Sequence, residues 1–367
     1  MDDSNGSAAN PSGVQGQVMP MEELGCNSGW GVRVKGEQGT REDRRLAGVC
    51  GLANSGNSCY MNAVLQCLFS TVPLVEHLLS SHKRSQLAKR NSPVVGVFVH
   101  LFHEVWQGQG VPASPLQGMR ALVSSLHPQF NNQSQQDAQE LLLLLLNALH
   151  DDLKNHLFEG QLSYQMLCLR CDGHSHSNQV FTILSLPIPL DSYKCSLQDC
   201  LSLFFQQSTL TCGDQKLCPE CGVKRDTAVL TSMAKPPEIL VLHLKRFGCH
   251  GSEKRKLRTN VLFSLDSLDL TPFLSRPSAN HTSYSLRSGA KHEHMTPSVC
   301  LSPVQNHTGD LDMGHYTALC HSSLSSSWHH FDDTAVSEVV DFLVQSPNAY
   351  ILLYSRQPFH RPNIPRI

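Results

Sequence analysis

Charge is scarce in this 367-residue chain. Only 16% of its residues are Asp, Glu, Lys or Arg, and 29 basic against 31 acidic side chains leave a formal net charge of −2. A nucleic-acid binder needs a basic stripe and a peripheral membrane protein needs a polybasic patch, so neither partner is expected. Long apolar runs are missing too. The longest is the leucine run of 141–146, far short of the roughly 20 residues of a membrane span. Residues 1–20 have no apolar stretch behind a basic start, so no secretory leader is expected.

Cysteine, by contrast, is plentiful. Fourteen cysteines are too many for an average enzyme and too dilute for a disulfide scaffold. Without an export route the thiols stay reduced, and clustered cysteines then read as metal ligands or nucleophiles. The expected location is intracellular, in cytoplasm and/or nucleus.

Residues 1–46 are Gly-rich, polar and finally charged, a composition that cannot bury enough surface to order itself. A disordered tail is expected there. Apolar periodicity then begins. Met61, Val64, Leu65 and Leu68 fall on one helical face ending before Pro73, and residues 94–106 read as a second helix. Ser134-Gln-Gln-Asp137 has the form of a capping box opening a long helix to about Leu153, and its leucine run predicts burial nearly all round. After Gly160 the pattern changes to strands, at 180–188, 227–233, 239–247 and 349–354. Helices first and strands later predict an α+β fold. A Ser/His/Pro-rich stretch between Leu274 and Gln305 reads as an exposed loop or insertion.

Three constellations could carry chemistry. In Gly51-Leu-Ala-Asn-Ser-Gly-Asn-Ser-Cys-Tyr-Met-Asn62, a turn runs into the first helix and puts Cys59 at its N-terminus. The helix dipole there favours a thiolate, the nucleophilic form, and Asn54 could donate to a developing oxyanion. Cys59 reads equally well as a small buried residue. His315 stands at the start of a strand, and a hairpin from 315 to 331 would return Asp332 to it as an orienting carboxylate. Any one of 20 histidines, however, is by default a surface or core residue. Third, Cys168-Leu-Arg-Cys171 and Cys218-Pro-Glu-Cys221 are two knuckles whose four thiolates suit tetrahedral zinc. The alternative there is four unpaired thiols.

Taken together these motifs resemble the ubiquitin-specific proteases, the deubiquitinase family of cysteine peptidases, and its short members above all. The resemblance rests on the Cys box at 51–62, Gln135-Gln-Asp-Ala-Gln-Glu140, Ile239-Leu-Val-Leu-His-Leu-Lys-Arg-Phe247, Asn306-His-Thr-Gly, Gly314-His-Tyr-Thr-Ala and Phe331-Asp-Asp-Thr-Ala-Val. It covers about residues 48–354.

The resemblance implies a papain-like core with thumb-palm-fingers architecture. The catalytic domain would span 47–358, with a thumb at about 47–158, fingers at 160–235 carrying structural Zn2+, and a palm at 236–356. An irregular insertion would fall at 275–303 and a tail at 359–367. Cys59 would be the nucleophile, His315 its base, Asp332 the orienting group, Asn54 the oxyanion donor and Asp333 a supporting residue. Zinc would sit on Cys168, Cys171, Cys218 and Cys221. Asp137 and Glu140 would face the basic tail of ubiquitin, although Asp137 could instead cap its helix.

The implied activity is hydrolysis of the bond after ubiquitin's C-terminal Gly, by a monomeric enzyme acting on ubiquitinated proteins. The sequence departs from the family pattern at Ser55, Leu141 and Met313. Pro303 in a palm strand would also remove a ladder donor. These departures frame an alternative, a catalytically weak, ubiquitin-binding scaffold.

Overall fold

A computed structural model describes residues 46–79, 93–108, 110–153, 156–190, 192–250, 253–265, 267–275, 300–305, 314–345 and 347–356. They all belong to one compact unit, Arg44–Ile367. The expected tails, most of the 275–303 insertion, Met313 and Asn306–Gly309 lie outside the described residues.

The first half is helical: α1 (Cys59–Phe69), α2 (Val72–Leu79), α3 (Pro93–Gln107), α4 (Ala113–Leu126) and α5 (Ala138–Leu153). Pro93 starts α3, where a missing N–H costs nothing. All eleven residues of α1 are buried, polar Asn62 and Gln66 included, so it is a central helix and not an amphipathic surface one. The leucine run behaves in the opposite way. Ala138, Leu141, Leu142, Leu145, Leu146, Leu149 and Leu153 line one buried face of α5, while Leu143 reaches solvent and Leu144 is only partly covered. Helical geometry allows a continuous apolar run to bury only the stripe that meets a neighbour.

The expected capping box is also displaced. Ser134 lies outside the helix, and Asp137 is the cap, its Oδ1 accepting from the amides of Gln139 (2.7 Å) and Glu140 (3.4 Å). A complete capping box does occur, at Ser196 and Asp199, opening α6 (Leu197–Phe204).

A seven-stranded sheet follows, ordered Ala335–Val339, Ser327–Asp332, Tyr316–Ser322, Cys300–Gln305, Ile351–Ser355, Ile239–Leu244 and Ile183–Leu186. All neighbours are antiparallel except the last pair. Strand alternation sorts its side chains into two cores. Ile239, Val241, Ile351 and Leu353 join the helical lobe. Leu240, Leu242, Leu244, Leu352 and Tyr354 join a second core with α6, Phe263 and Phe273. Each buried Leu or Ile contributes on the order of 1.5–3 kcal/mol, so this doubly covered sheet is the rigid platform of the molecule.

Two predicted strands are divided. The 180–188 run splits at Thr182: His174–Phe181 belongs to a second sheet, and Ile183–Leu186 to the platform. The 239–247 run stops at Leu244 because Arg246 turns inward. Its Nε donates to Ala349 O (2.6 Å) and its Nη1 to Thr259 O (2.8 Å), and burial pulls its guanidinium down to about 10.

Pro303 does not break the platform. The register of Cys300–Gln305 against Tyr316–Ser322 shifts between Leu301 and Val304, a bulge that removes Ser302 and Pro303 from the ladder. The second, four-stranded sheet runs His174–Phe181, Gly160–Cys168, Thr227–Lys235, Ser208–Leu210.

Candidate active site

Cys59 is the first residue of α1, 3% exposed, behind the turn 51–58. That turn builds itself. Asn54 Oδ1 accepts from the Ser58 amide and hydroxyl (both 3.2 Å), the Ser55 amide donates to Ser58 Oγ (3.1 Å), and Asn57 takes a positive φ of 49°. Arg120 of α4 holds it from outside, donating to the carbonyls of Ser55 (2.9 Å) and Gly56 (3.3 Å). At Ser55, therefore, it is the backbone carbonyl that is gripped.

The second half of the site comes from the sheet edge. His315 precedes the Tyr316–Ser322 strand, and pairing of Ala318 with Phe331 in the next strand returns Asp332 beside it. Asp332 Oδ1 lies 2.5 Å from His315 Nε2. A carboxylate at this spot accepts, so Nε2 carries the proton and Nδ1 is left with the lone pair.

Asp333 follows in the two-residue turn between Asp332 and Ala335, at φ 50°. Its Oδ1 accepts from Asn62 Nδ2 (2.7 Å), its Oδ2 from Asn54 Nδ2 (2.8 Å), and its carbonyl from the Leu52 amide (2.7 Å). One side chain thus ties the imidazole-bearing hairpin to the thiol-bearing turn. Gly51 permits the approach, since a Cβ there would come 2.4 Å from Thr334 O.

Electrostatically the thiol is not the activated group that a helix start alone suggests. Burial pushes Cys59 up from the ordinary thiol value. The backbone N–H of Tyr316 and those of Tyr60 and Cys59 pull the other way, and the Asp333 carboxylate adds to the rise. Desolvation wins. Among the described residues Cys59 makes no hydrogen bond to His315.

A side chain beside the sulfur is one that sequence reasoning passed over. Gln135 Nε2 lies 3.8 Å from Cys59 Sγ and donates to Gly314 O, while Gln135 Oε1 accepts from the Gly314 amide (2.7 Å). Gln135 therefore locks the turn before His315 to the thiol. The Gln-rich motif was visible in the sequence, but nothing local showed which glutamine faced inward.

Of the two expected acidic contacts, the structure separates the roles. Asp137 is engaged on both oxygens, as the α5 cap and as acceptor from Tyr350 Oη (2.7 Å). Glu140 is exposed and accepts from Gln129 Nε2.

At the far end of the four-stranded sheet, Cys168, Cys171, Cys218 and Cys221 bring four sulfurs within 4.8 Å of one another. Cys168–Cys221 and Cys171–Cys218 are 4.0 and 3.5 Å apart. Tetrahedral bonds of about 2.3 Å place sulfurs about 3.8 Å apart, so the set fits a metal. Both knuckles use the same turn: each first Cys carbonyl accepts from the residue after the second Cys, Asp172 (3.0 Å) or Gly222 (2.9 Å), both at positive φ. Backbone N–H groups of Arg170 and Cys171 hold the Cys168 thiol down at about 7.

A thiol at a helix start, tied through Asp333 and Gln135 to a hairpin that carries an imidazole–carboxylate pair, in an α+β fold, fits the broad class of cysteine hydrolases. The particular family is given by comparison. Residues 50–354 match the family model described as ubiquitin carboxyl-terminal hydrolase, and the chain belongs to that family.

Among similar proteins, ubiquitin carboxyl-terminal hydrolase Usp2 of Drosophila melanogaster is 32% identical over 353 residues, which is 86% of this chain and 35% of that protein. Ubiquitin carboxyl-terminal hydrolase 2 of Bos taurus is 30% identical and covered to 56%. The chain thus spans between a third and just over half of these two relatives, but 95% of the 32% identical ubiquitin carboxyl-terminal hydrolase 2 of Gallus gallus. The SAGA Ubp8/Sgf11/Sus1/Sgf73 DUB module bound to ubiquitin aldehyde shares the fold, with a TM-score of 0.69 at 24% identity over 86% of this chain and 70% of that one. The thumb-palm-fingers architecture is that of these domains.

Proposed function

We propose that this chain is a thiol-dependent ubiquitinyl hydrolase, cleaving the peptide or isopeptide bond after the C-terminal Gly of ubiquitin on protein conjugates. The observation that carries it is the His315–Asp332 pair, held beside the thiol turn by Asp333. His315 takes the Cys59 proton through Nδ1, and the sulfur attacks the scissile carbonyl. Asn54 has two N–H bonds, and one is given to Asp333. The other, with backbone amides at the start of α1, holds the oxyanion. The protonated His315 then delivers its proton to the departing lysine amine, and water hydrolyses the thioester.

Glu140 is positioned to meet a basic peptide tail, whereas Asp137 serves mainly as a helix cap. Zinc on Cys168, Cys171, Cys218 and Cys221 braces the finger tip and takes no part in the chemistry. The reduced thiols this requires suit a cytoplasmic or nuclear monomer.

A second reading has one observation in its favour: the buried Cys59 thiol is raised and makes no hydrogen bond to His315 among the described residues. In that reading the chain binds ubiquitin and turns over poorly. A ubiquitin probe with a C-terminal electrophile decides. The wild-type chain is expected to form a covalent adduct that Cys59→Ala does not. A folded, zinc-loaded wild type that forms none overturns the hydrolase reading.

A further inference from the structure

A second cluster of metal-ligating side chains lies far in sequence from the cysteine knuckles, where the helical lobe passes into the four-stranded sheet. His150 sits near the end of α5, Glu159 immediately precedes the Gly160–Cys168 strand, and His156 lies in the connection between them. His156 Nδ1 is 3.0 Å from Glu159 Oε2 and His150 Nε2 is 3.6 Å from the same oxygen. The three ligand atoms all fall within 4.8 Å of one another, and the two imidazoles meet edge to face with centroids 5.3 Å apart.

We propose that His150, His156 and Glu159 form a second divalent-metal site, of the zinc class, at the junction of the helical lobe and the finger sheet. The donor set is two imidazoles and one carboxylate, the ligands that zinc takes at about 2.0–2.2 Å. Two such bonds at a tetrahedral angle separate their donor atoms by about 3.4 Å, close to the spacings already present. The ion would need little rearrangement to enter.

The surroundings support the same reading. The backbone between His156 and Glu159 is anchored, with the Glu159 amide donating to His156 O (3.2 Å) and the Ile239 amide to Leu157 O (2.8 Å). Beside the cluster lies a small pocket walled by Leu146, Leu149, Leu153 and Phe158, with His150 and Glu159 at its rim. An apolar wall on one side and solvent on the other gives three protein ligands and one open position for water. The consequence is mechanical. A bound ion would join the last turn of α5 to the residue that opens the first strand of the finger sheet.

The inference is independent of hydrolysis and is tested by metal binding to the full chain. After dialysis against buffered zinc, the wild type is expected to retain two zinc ions, and His156→Ala and Glu159→Gln one each. Loss of a ligand weakens the second ion at least about tenfold. His156 is exposed, so its removal leaves the core intact.

A spectroscopic arm separates the two sites. With the thiolate site filled by zinc, one equivalent of Co2+ should produce weak visible bands without thiolate charge transfer, and His156→Ala should abolish them. With the thiolate site already filled, further zinc should also raise the melting temperature of the wild type and leave that of His156→Ala unchanged. A wild type that retains one ion, or a second ion undiminished in both variants, overturns the proposal and leaves a simple His–Glu ion-pair cluster.

Discussion

The two places where this chain concentrates cysteine chemistry are built on opposite principles. Cys59 is one thiol, sealed at the start of a wholly buried helix, and its environment raises it. The knuckle cysteines are four thiols at the tip of a thin sheet with little core around them, where backbone N–H groups lower Cys168 while Cys171 and Cys221 are raised. In the first region the fold exists without the thiol and uses it. In the second, four clustered thiols fit a metal, and on the proposed reading that metal makes the local fold. The same residue type is then expected to be dispensable for stability in one place and indispensable in the other.

Metal removal should break this comparison most visibly. Structural zinc contributes on the order of 10 kcal/mol of binding free energy that is also local folding free energy. Stripping the chain with a strong chelator, or Cys218→Ser, should therefore unfold the tip. Limited proteolysis should then cut between residues 169 and 226, where the untreated chain resists, and the melting temperature should fall. Cys59→Ala should keep its zinc and its melting temperature. If the stripped chain resists protease as well as the loaded one, the tip holds itself and the contrast fails.

Asp332 comes next in expected effect. Asn in its place can present an amide to Nε2 and stabilise the wrong tautomer, leaving Nδ1 protonated and unable to accept from the thiol. The loss should be about 10⁴-fold in kcat, with KM nearly unchanged and the fold intact. A loss of tenfold or less in steady-state hydrolysis of a ubiquitin conjugate would show that the 2.5 Å contact is structural only.

What the sequence made legible was local. The helix start at Cys59, the knuckle spacing and the hairpin that returns Asp332 each depend on a handful of consecutive residues. What stayed hidden depends on distant partners. That Asp137 also accepts from Tyr350, 213 residues away, could not be seen locally. The 180–188 run looked like one strand because its two halves pair in different sheets. Pro303 looked destructive because a bulge appears only once the opposing strand is in place. The capping box at Ser196–Asp199 obeys the same local rule as the one expected at Ser134, and it is the one the fold completes.

Gln135 sharpens the comparison from within the catalytic half. If the turn before His315 is held to the thiol by this side chain, Gln135→Ala should lower kcat on the order of 10²-fold, the effect of a displacement of about 1 Å in a catalytic group. KM should change less, and zinc content not at all. An unchanged kcat would mean that the Gly314 contacts merely decorate a turn already fixed by its neighbours.

The smallest effect concerns the direction of the Cys59 shift itself, and it decides between two physical terms. A helix start favours the thiolate and burial favours the thiol. Only the thiolate is alkylated, so the rate of iodoacetamide labelling at Cys59 climbs as pH rises through its pKa. Where burial dominates, that midpoint lies above the ordinary thiol value, and at neutral pH the free enzyme is mostly protonated. Labelling the zinc-loaded chain keeps the knuckle cysteines out of the measurement. Asp333→Asn removes a carboxylate that adds to the rise, so its midpoint should fall. A wild-type midpoint below the ordinary thiol would mean that the helix-start amides outweigh desolvation. The two cysteine regions would then be activated by the same device, differing only in whether a metal or a carbonyl receives the sulfur.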